Sequence, residues 1–310
     1  MSKKQSTIQF LIFGMAIGES IASLPANDQD KVLNQQFDRQ LEWGTQVSLS
    51  LATTASLTRG YQLADVMAHL QNWYQRRQYA PVGTHQSIDD VTKKALDNYI
   101  KNRDMLSAGV SDDAADSDNI LARMLPVALY LHHQYGTSFV NDETAMMLLH
   151  RIAGLTHNDE GALVTVGMMS LILSQILDGN NLSDAVENGL AFGFEYYSRH
   201  QVFVSELSAF DELNLPDFRN IPADKIVLDG KAASTLEAVI WSLLNSHNYT
   251  EAIKNSLVHG HANSVVPTLV AAIAAVYYRD DMVLRLSQNF VARRLLATIV
   301  SQAERSARFS

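Results

Sequence analysis

Residues 10–20 read FLIFGMAIGES, and the fold turns on what this run is. Lys3 and Lys4 ahead of the apolar run Phe10 to Ile17 imitate a short signal peptide. Gln9 interrupts the approach, Glu19 ends the run, and no A-x-A-like cleavage site follows closely. A membrane span needs roughly 20 apolar residues, which no stretch approaches. The run therefore reads as a buried first helix, and the chain as a cytoplasmic protein.

Working outward, the 310 residues are 47% hydrophobic and 18% charged, enough for a sizeable core and too apolar for wholesale disorder. With 24 basic against 33 acidic residues the net charge is −9, and no Lys/Arg run forms a phosphate-tracking stripe. Nucleic-acid binding is thereby disfavoured. The absence of cysteine removes disulfides, thiolate zinc sites and cysteine nucleophiles together. Apolar residues recur at helical spacing almost throughout, predicting helices over 8–23, 44–58, 62–78, 87–102, 118–135, 140–155, 159–178, 182–198, 231–246, 249–258, 264–278 and 281–305. Capping chemistry marks several starts, as in Asn141-Asp142-Glu143, Asn181-Leu182-Ser183-Asp184 and Asn248-Tyr249-Thr250-Glu251. Ile226-Val227-Leu228 is the best strand signal of a poor set, and long loops are expected over 103–117 and 203–230. No repeat or low-complexity linker divides the chain, so the expectation is one all-α domain over residues 1–310.

The order of these segments resembles the ADP-ribosylglycohydrolase family, which includes the dinitrogenase-reductase-activating glycohydrolases. Gly14 to Ser20 is similar to the family's opening G-x-x-x-G-D-A helix, with Glu19 where aspartate is usual. Trp73-Tyr74 and Ile88 to Leu96 resemble its second block, and Ala122-Arg123-Met124-Leu125-Pro126 its M-R-x-x-P helix. Thr156-His157 matches a threonine–histidine turn, Leu236 to Trp241 with Tyr249 to Ile253 the penultimate helix pair, and Gly260 to Tyr277 the final glycine-led helix. The resemblance implies a compact fold of a dozen or more helices. It also implies a cleft in which two magnesium ions assist cleavage between ADP-ribose and a modified side chain.

Set against the family's T-D-D-T-Q-M motif, Thr45-Gln46-Val47 holds the last three positions, but Glu42-Trp43-Gly44 stands where T-D-D is expected. The second metal motif, G-D-x-D-T, is met by Gly260-His261-Ala262-Asn263-Ser264, with both aspartates gone. Magnesium demands near-octahedral oxygen ligands, usually including carboxylates. Two neighbouring dications repel by about 4 kcal/mol per pair of unit charges at 4 Å and an effective dielectric of 20. Glu42, with Glu19 as a helper, is little to offset that, so no magnesium centre and no other cofactor is expected.

The residues leave competing readings. His259 and His261 with Glu42 could ligate zinc or nickel, although a chance H-x-H among ten histidines is unremarkable. Asn263 and Ser264 suit ligand hydrogen bonds or a helix cap before Pro267, and Gly44 with Thr45 has the same ambiguity. Trp43 would offer a stacking face in the cleft or pack in the core. Glu19, Asp89 and Asp90 could serve as acid or base, but Asp89-Asp90 suits a helix start. Arg123 reads as a phosphate contact or as half of a surface ion pair. The Met146-Met147 and Met168-Met169 pairs read as core or interface residues. The functional expectation is a non-catalytic homologue holding an ADP-ribose-like or nucleotide ligand through Trp43, Gly44, Thr45, Gly260, His261, Asn263 and Ser264. One alternative is a hydrolase using Glu19, Glu42 and His261, metal-free or with another metal. The other is a structural or regulatory protein with its cleft filled.

Overall fold

Helical spacing carries through almost everywhere in the structure, a computed structural model that describes residues 5–83, 86–259 and 265–309. The first group is α1 (Thr7–Ala22), α2 (Ala26–Leu33), α3 (Thr45–Leu57), α4 (Leu63–Arg76) and α5 (Asp90–Asn102). Then come α6 (Leu121–Tyr135), α7 (Glu143–Ala153), α8 (Glu160–Leu177), α9 (Leu182–Ser198) and α10 (Ala232–Leu244). The last are α11 (Tyr249–Leu257), α12 (Val265–Tyr278), α13 (Asp281–Leu286) and α14 (Arg293–Arg305). The caps read from sequence are made: the side chains of Asp142, Asn181 and Asn248 each accept from a backbone N–H three residues on.

Three helices that are apolar on every face form the centre. Almost all of α1, α8 and α12 is buried, while α4, α5 and α14 bury only one stripe. The 18 residues of α8 are apolar and long enough for a membrane by length and composition, yet 83% of that window is buried inside the protein. One large hydrophobic cluster runs from Ile8 to Phe309, with a small satellite of Val91, Ala95, Val110 and Ala115 under the 103–117 loop.

The pairing of α1 with α12 depends on glycine. A Cβ at Gly14 would lie 2.5 Å from the Ala271 carbonyl oxygen, and one at Gly18 would lie 2.2 Å from that of Pro267. Both approaches are closer than a methyl carbon tolerates, so the G-x-x-x-G spacing is a packing device. It carries the C-terminal end of α1, and Glu19 with it, to the start of α3.

Some elements differ from expectation. The helix predicted over 281–305 is broken, because Phe290 is extended and buried and Leu41 and Phe290 form an isolated bridge. The Leu41 N–H donates to Asn289 and the Val291 N–H donates to Leu41. Ile226-Val227-Leu228 is no strand; Ile226 is buried and Val227 exposed, without a ladder partner among the described residues. The 203–230 loop opens with a 3₁₀ run, Gln201–Phe210, and α2 was missed because its eight residues are too few for a clear helical period. The 103–117 loop is pinned at Val110, which exchanges backbone hydrogen bonds with Thr156 and Asn158.

Candidate ligand cleft

The first turn of α3 leaves unpaired backbone N–H groups and the positive end of a helix dipole. Gly44, its N-cap residue, has no side chain to satisfy them. Glu19 does so from α1: its carboxylate accepts from the N–H groups of Gly44 at 2.9 Å, Gln46 at 2.9 Å and Val47 at 3.0 Å. The side chain is 5% exposed, and burial raises its pKa above the ordinary carboxylate value despite those three bonds. A Cβ at residue 44 would lie 2.6 Å from a Glu19 oxygen, which is why glycine stands there. Ser20 helps fix the same turn by donating to the Glu42 carbonyl at 2.6 Å.

Trp43 takes the core alternative. Its side chain is 2% exposed, sets the ring at an edge-to-face angle on Phe290, and donates its indole N–H to the Tyr79 carbonyl at 3.1 Å. It therefore offers no open stacking face. The facing wall is held by Gln86, which sequence reasoning missed. Its amide donates to the Gly44 carbonyl at 3.0 Å and the Ser48 hydroxyl at 2.9 Å, and its carbonyl accepts from the Trp73 indole at 2.8 Å. Thr45 reaches the same wall, its hydroxyl donating to the Ser87 carbonyl. A lone glutamine in a loop carries no signal that would have revealed it.

Between these walls lies an open cavity of about 420 Å³. Glu42, Thr45, Ser87, Asp89 and Asn119 are among the groups that border it, as do Glu19 and the backbone of Gly44. Glu42 is exposed, and its carboxylate has no hydrogen-bond partner among the described residues. Asp89 is the N-cap of α5, accepting from the Thr92 N–H at 2.7 Å, as expected for an acid at a helix start; Asp90 is exposed in the first turn.

Behind Asp89 sits a buried cation, in neither of the settings expected for Arg123. The guanidinium is 2% exposed and donates to the hydroxyls of Thr92 and Thr156 and to His157 Nδ1, the last at 3.1 Å. Burial pulls its pKa down to about 10, opposed by the charge of Asp89. Because Arg123 can only donate, His157 Nδ1 accepts and Nε2 carries the hydrogen. That Nε2 is fully buried, has no hydrogen-bond partner among the described residues, and stands 3.9 Å from an Asp89 oxygen. Burial and the Arg123 charge hold the imidazole neutral, its pKa well below the usual histidine value. Thr156-His157 therefore serves as a buried joint linking α5, α6 and the start of α8.

Gly260, His261, Asn263 and Ser264 lie outside the described residues. His259 sets its ring edge-to-face on Trp241 at 5.4 Å. Among the described residues no three His, Asp or Glu side chains converge as a metal-holding group. At the first motif both Glu19 oxygens are engaged by backbone, Gly44 has no side chain, Trp43 points inward, and Glu42 is left. The second motif contributes His261, Asn263 and Ser264 and no carboxylate. That donor set does not fit a pair of magnesium ions.

An all-α core with a cleft at the meeting of the first and third helices defines an architecture already represented among solved proteins. A solved ADP-ribosylglycohydrolase-related protein complex superposes with a TM-score of 0.71 over 99% of this chain and 100% of that one, at 18% identity. The family model for ADP-ribosylglycohydrolases matches residues 4–298, and the chain belongs to that family. Among curated proteins it is 22% identical over 284 residues to the ADP-ribosylarginine hydrolase Tri1 of Serratia proteamaculans, spanning 89% of this chain and 72% of that protein. The Tri1 of Pseudomonas putida is matched at 22% identity, over 89% of this chain and 71% of that one.

Proposed function

We propose that this chain is a non-hydrolytic member of the family that binds an ADP-ribose-like group, carried on an arginine side chain, in the cleft between α1, α3 and α5. The observation that supports the reading is an open cavity of about 420 Å³ bordered by Glu42, Trp43 and Gly44, the residues that stand where the resemblance expects the T-D-D metal motif. Two relatives that act on ADP-ribosylarginine support the arginine linkage. The open cavity favours ligand binding over a filled cleft, since Trp43 is packed to one side of it. Glu19 is a poor candidate for acid–base chemistry, because both its oxygens hold α3 in place. Glu42 is the better candidate for ligand contact.

Calorimetric titration of the purified protein with an ADP-ribosylated arginine peptide, with and without magnesium, tests this, alongside a hydrolysis assay on the same peptide. Binding that ignores magnesium and leaves the peptide intact is expected. Magnesium-dependent binding or turnover would overturn the non-hydrolytic reading, and absence of binding would overturn the ligand.

A further inference from the structure

A second cavity lies apart from the cleft and shares none of the described residues that border it. It holds about 320 Å³ and opens between the 103–117 loop, α7, α9 and the starts of α4 and α8. That volume suits a small organic molecule. Leu63, Met105, Leu106, Met147 and Leu163 supply its apolar wall. Leu106 is 75% exposed and Met147 is 39% exposed, so the rim keeps apolar surface against water that an apolar ligand would displace. Two rings complete the wall: Tyr196 is half-buried, and His150 is held by its hydrogen bond to the Tyr197 hydroxyl at 2.8 Å. Thioethers and rings together favour an aromatic occupant, because sulfur seats against ring edges and methionine adapts its shape.

Charge on this wall has one sign. Arg151 borders the cavity and is exposed, and its guanidinium makes no hydrogen bond or ion pair among the described residues. No Asp or Glu is among the described residues around the same space. His150 is kept neutral by burial, so Arg151 is the one charged side chain among them. We infer that this second cavity binds an amphipathic aromatic carboxylate, its ring against Met105, Met147 and Tyr196 and its carboxylate on Arg151. A guanidinium offers a carboxylate two parallel donors, and Asn158 adds an amide at the same rim. The inference does not depend on what the cleft holds.

1-Naphthylacetate is the probe, titrated calorimetrically against the full chain beside 1-naphthylacetamide, which has the same rings and no charge. The acid is expected to bind at least about tenfold more tightly than the amide, with the margin shrinking as salt rises. Arg151→Gln is expected to weaken the acid about tenfold and leave the amide unchanged, as loss of one charge-assisted contact would. Leu106→Ser is expected to weaken both about threefold by removing apolar contact. Both side chains are exposed, so an unchanged thermal midpoint separates lost binding from lost fold. Excess ADP-ribose is expected to leave the bound probe in place. Displacement by ADP-ribose, equal binding of acid and amide, indifference to either substitution, or no binding at millimolar probe would each overturn the inference.

Discussion

Glu19 shows how one side chain can be drawn away from chemistry. A carboxylate that accepts three backbone N–H groups acts as the N-cap that Gly44 cannot provide. Hydrogen bonds to a charged group contribute about 1.5–3 kcal/mol each, well above neutral ones. Glu19→Gln puts an amide NH₂ against backbone donors, and we expect it to destabilise the protein by about 3 kcal/mol, read from the midpoint of urea unfolding. A change below about 0.5 kcal/mol would mean that Glu19 does not hold α3. Glutamate one residue after Gly18 was legible as a departure from the family pattern. Its partners were not, because they lie 25–28 positions along the chain.

At the scale of elements, the crossing of α1 and α12 sets where the cleft's first wall stands. Its tolerance is small, since a methyl group at residue 18 would meet the backbone of Pro267 and not a side chain that can turn aside. Gly18→Ala is therefore expected to cost about 3 kcal/mol, against the helix-propensity gain of about 1 kcal/mol that alanine would bring to an open site. Guanidinium unfolding measures the difference, and a stabilised variant would show that the helices can part. Long apolar runs made α1, α8 and α12 legible, and a helical stripe of apolar residues made α4 and α5 legible. Periodicity failed at 281–305, where the Leu41 backbone pairs with the Phe290 region and the helix gives way to an extended segment. That competition comes from a segment 250 residues away, beyond any local window.

For the molecule as a whole, buried histidines set the acid limit. His150 meets the Tyr197 hydroxyl at 2.8 Å, and burial depresses its pKa to about 4 from 6.5. Burial also holds the His157 pKa well below 6.5, with the Arg123 charge adding to it. Between about pH 6.5 and 4 the unfolded chain binds protons that folded His150 refuses, so stability falls as pH falls. Its contribution approaches about 1.4 kcal/mol per pH unit in that window. Glu19 acts in the opposite sense over a window that opens upward from 4.5, because burial raises its folded pKa above that value and the folded state takes up the proton first. Urea unfolding from pH 7 to 5 should show a declining midpoint, with a shallower decline in His150→Asn. A flat profile would mean that the histidines titrate normally.

The sequence by itself determined that this is an all-α chain of the ADP-ribosylglycohydrolase family, and it places Glu42-Trp43-Gly44 and His261-Ala262-Asn263 where the resemblance expects aspartates. Helical period and residue identity at a motif are local properties, and one chain displays them in full. Only the tertiary structure decided that Trp43 packs in the core, that Glu19 is engaged by backbone, that Gln86 braces the wall, and that the cavity is open with Glu42 and Asp89 on it. Those outcomes depend on which distant groups meet. Burial makes most buried donors find an acceptor wherever the fold places one, and residue order alone does not say where that is.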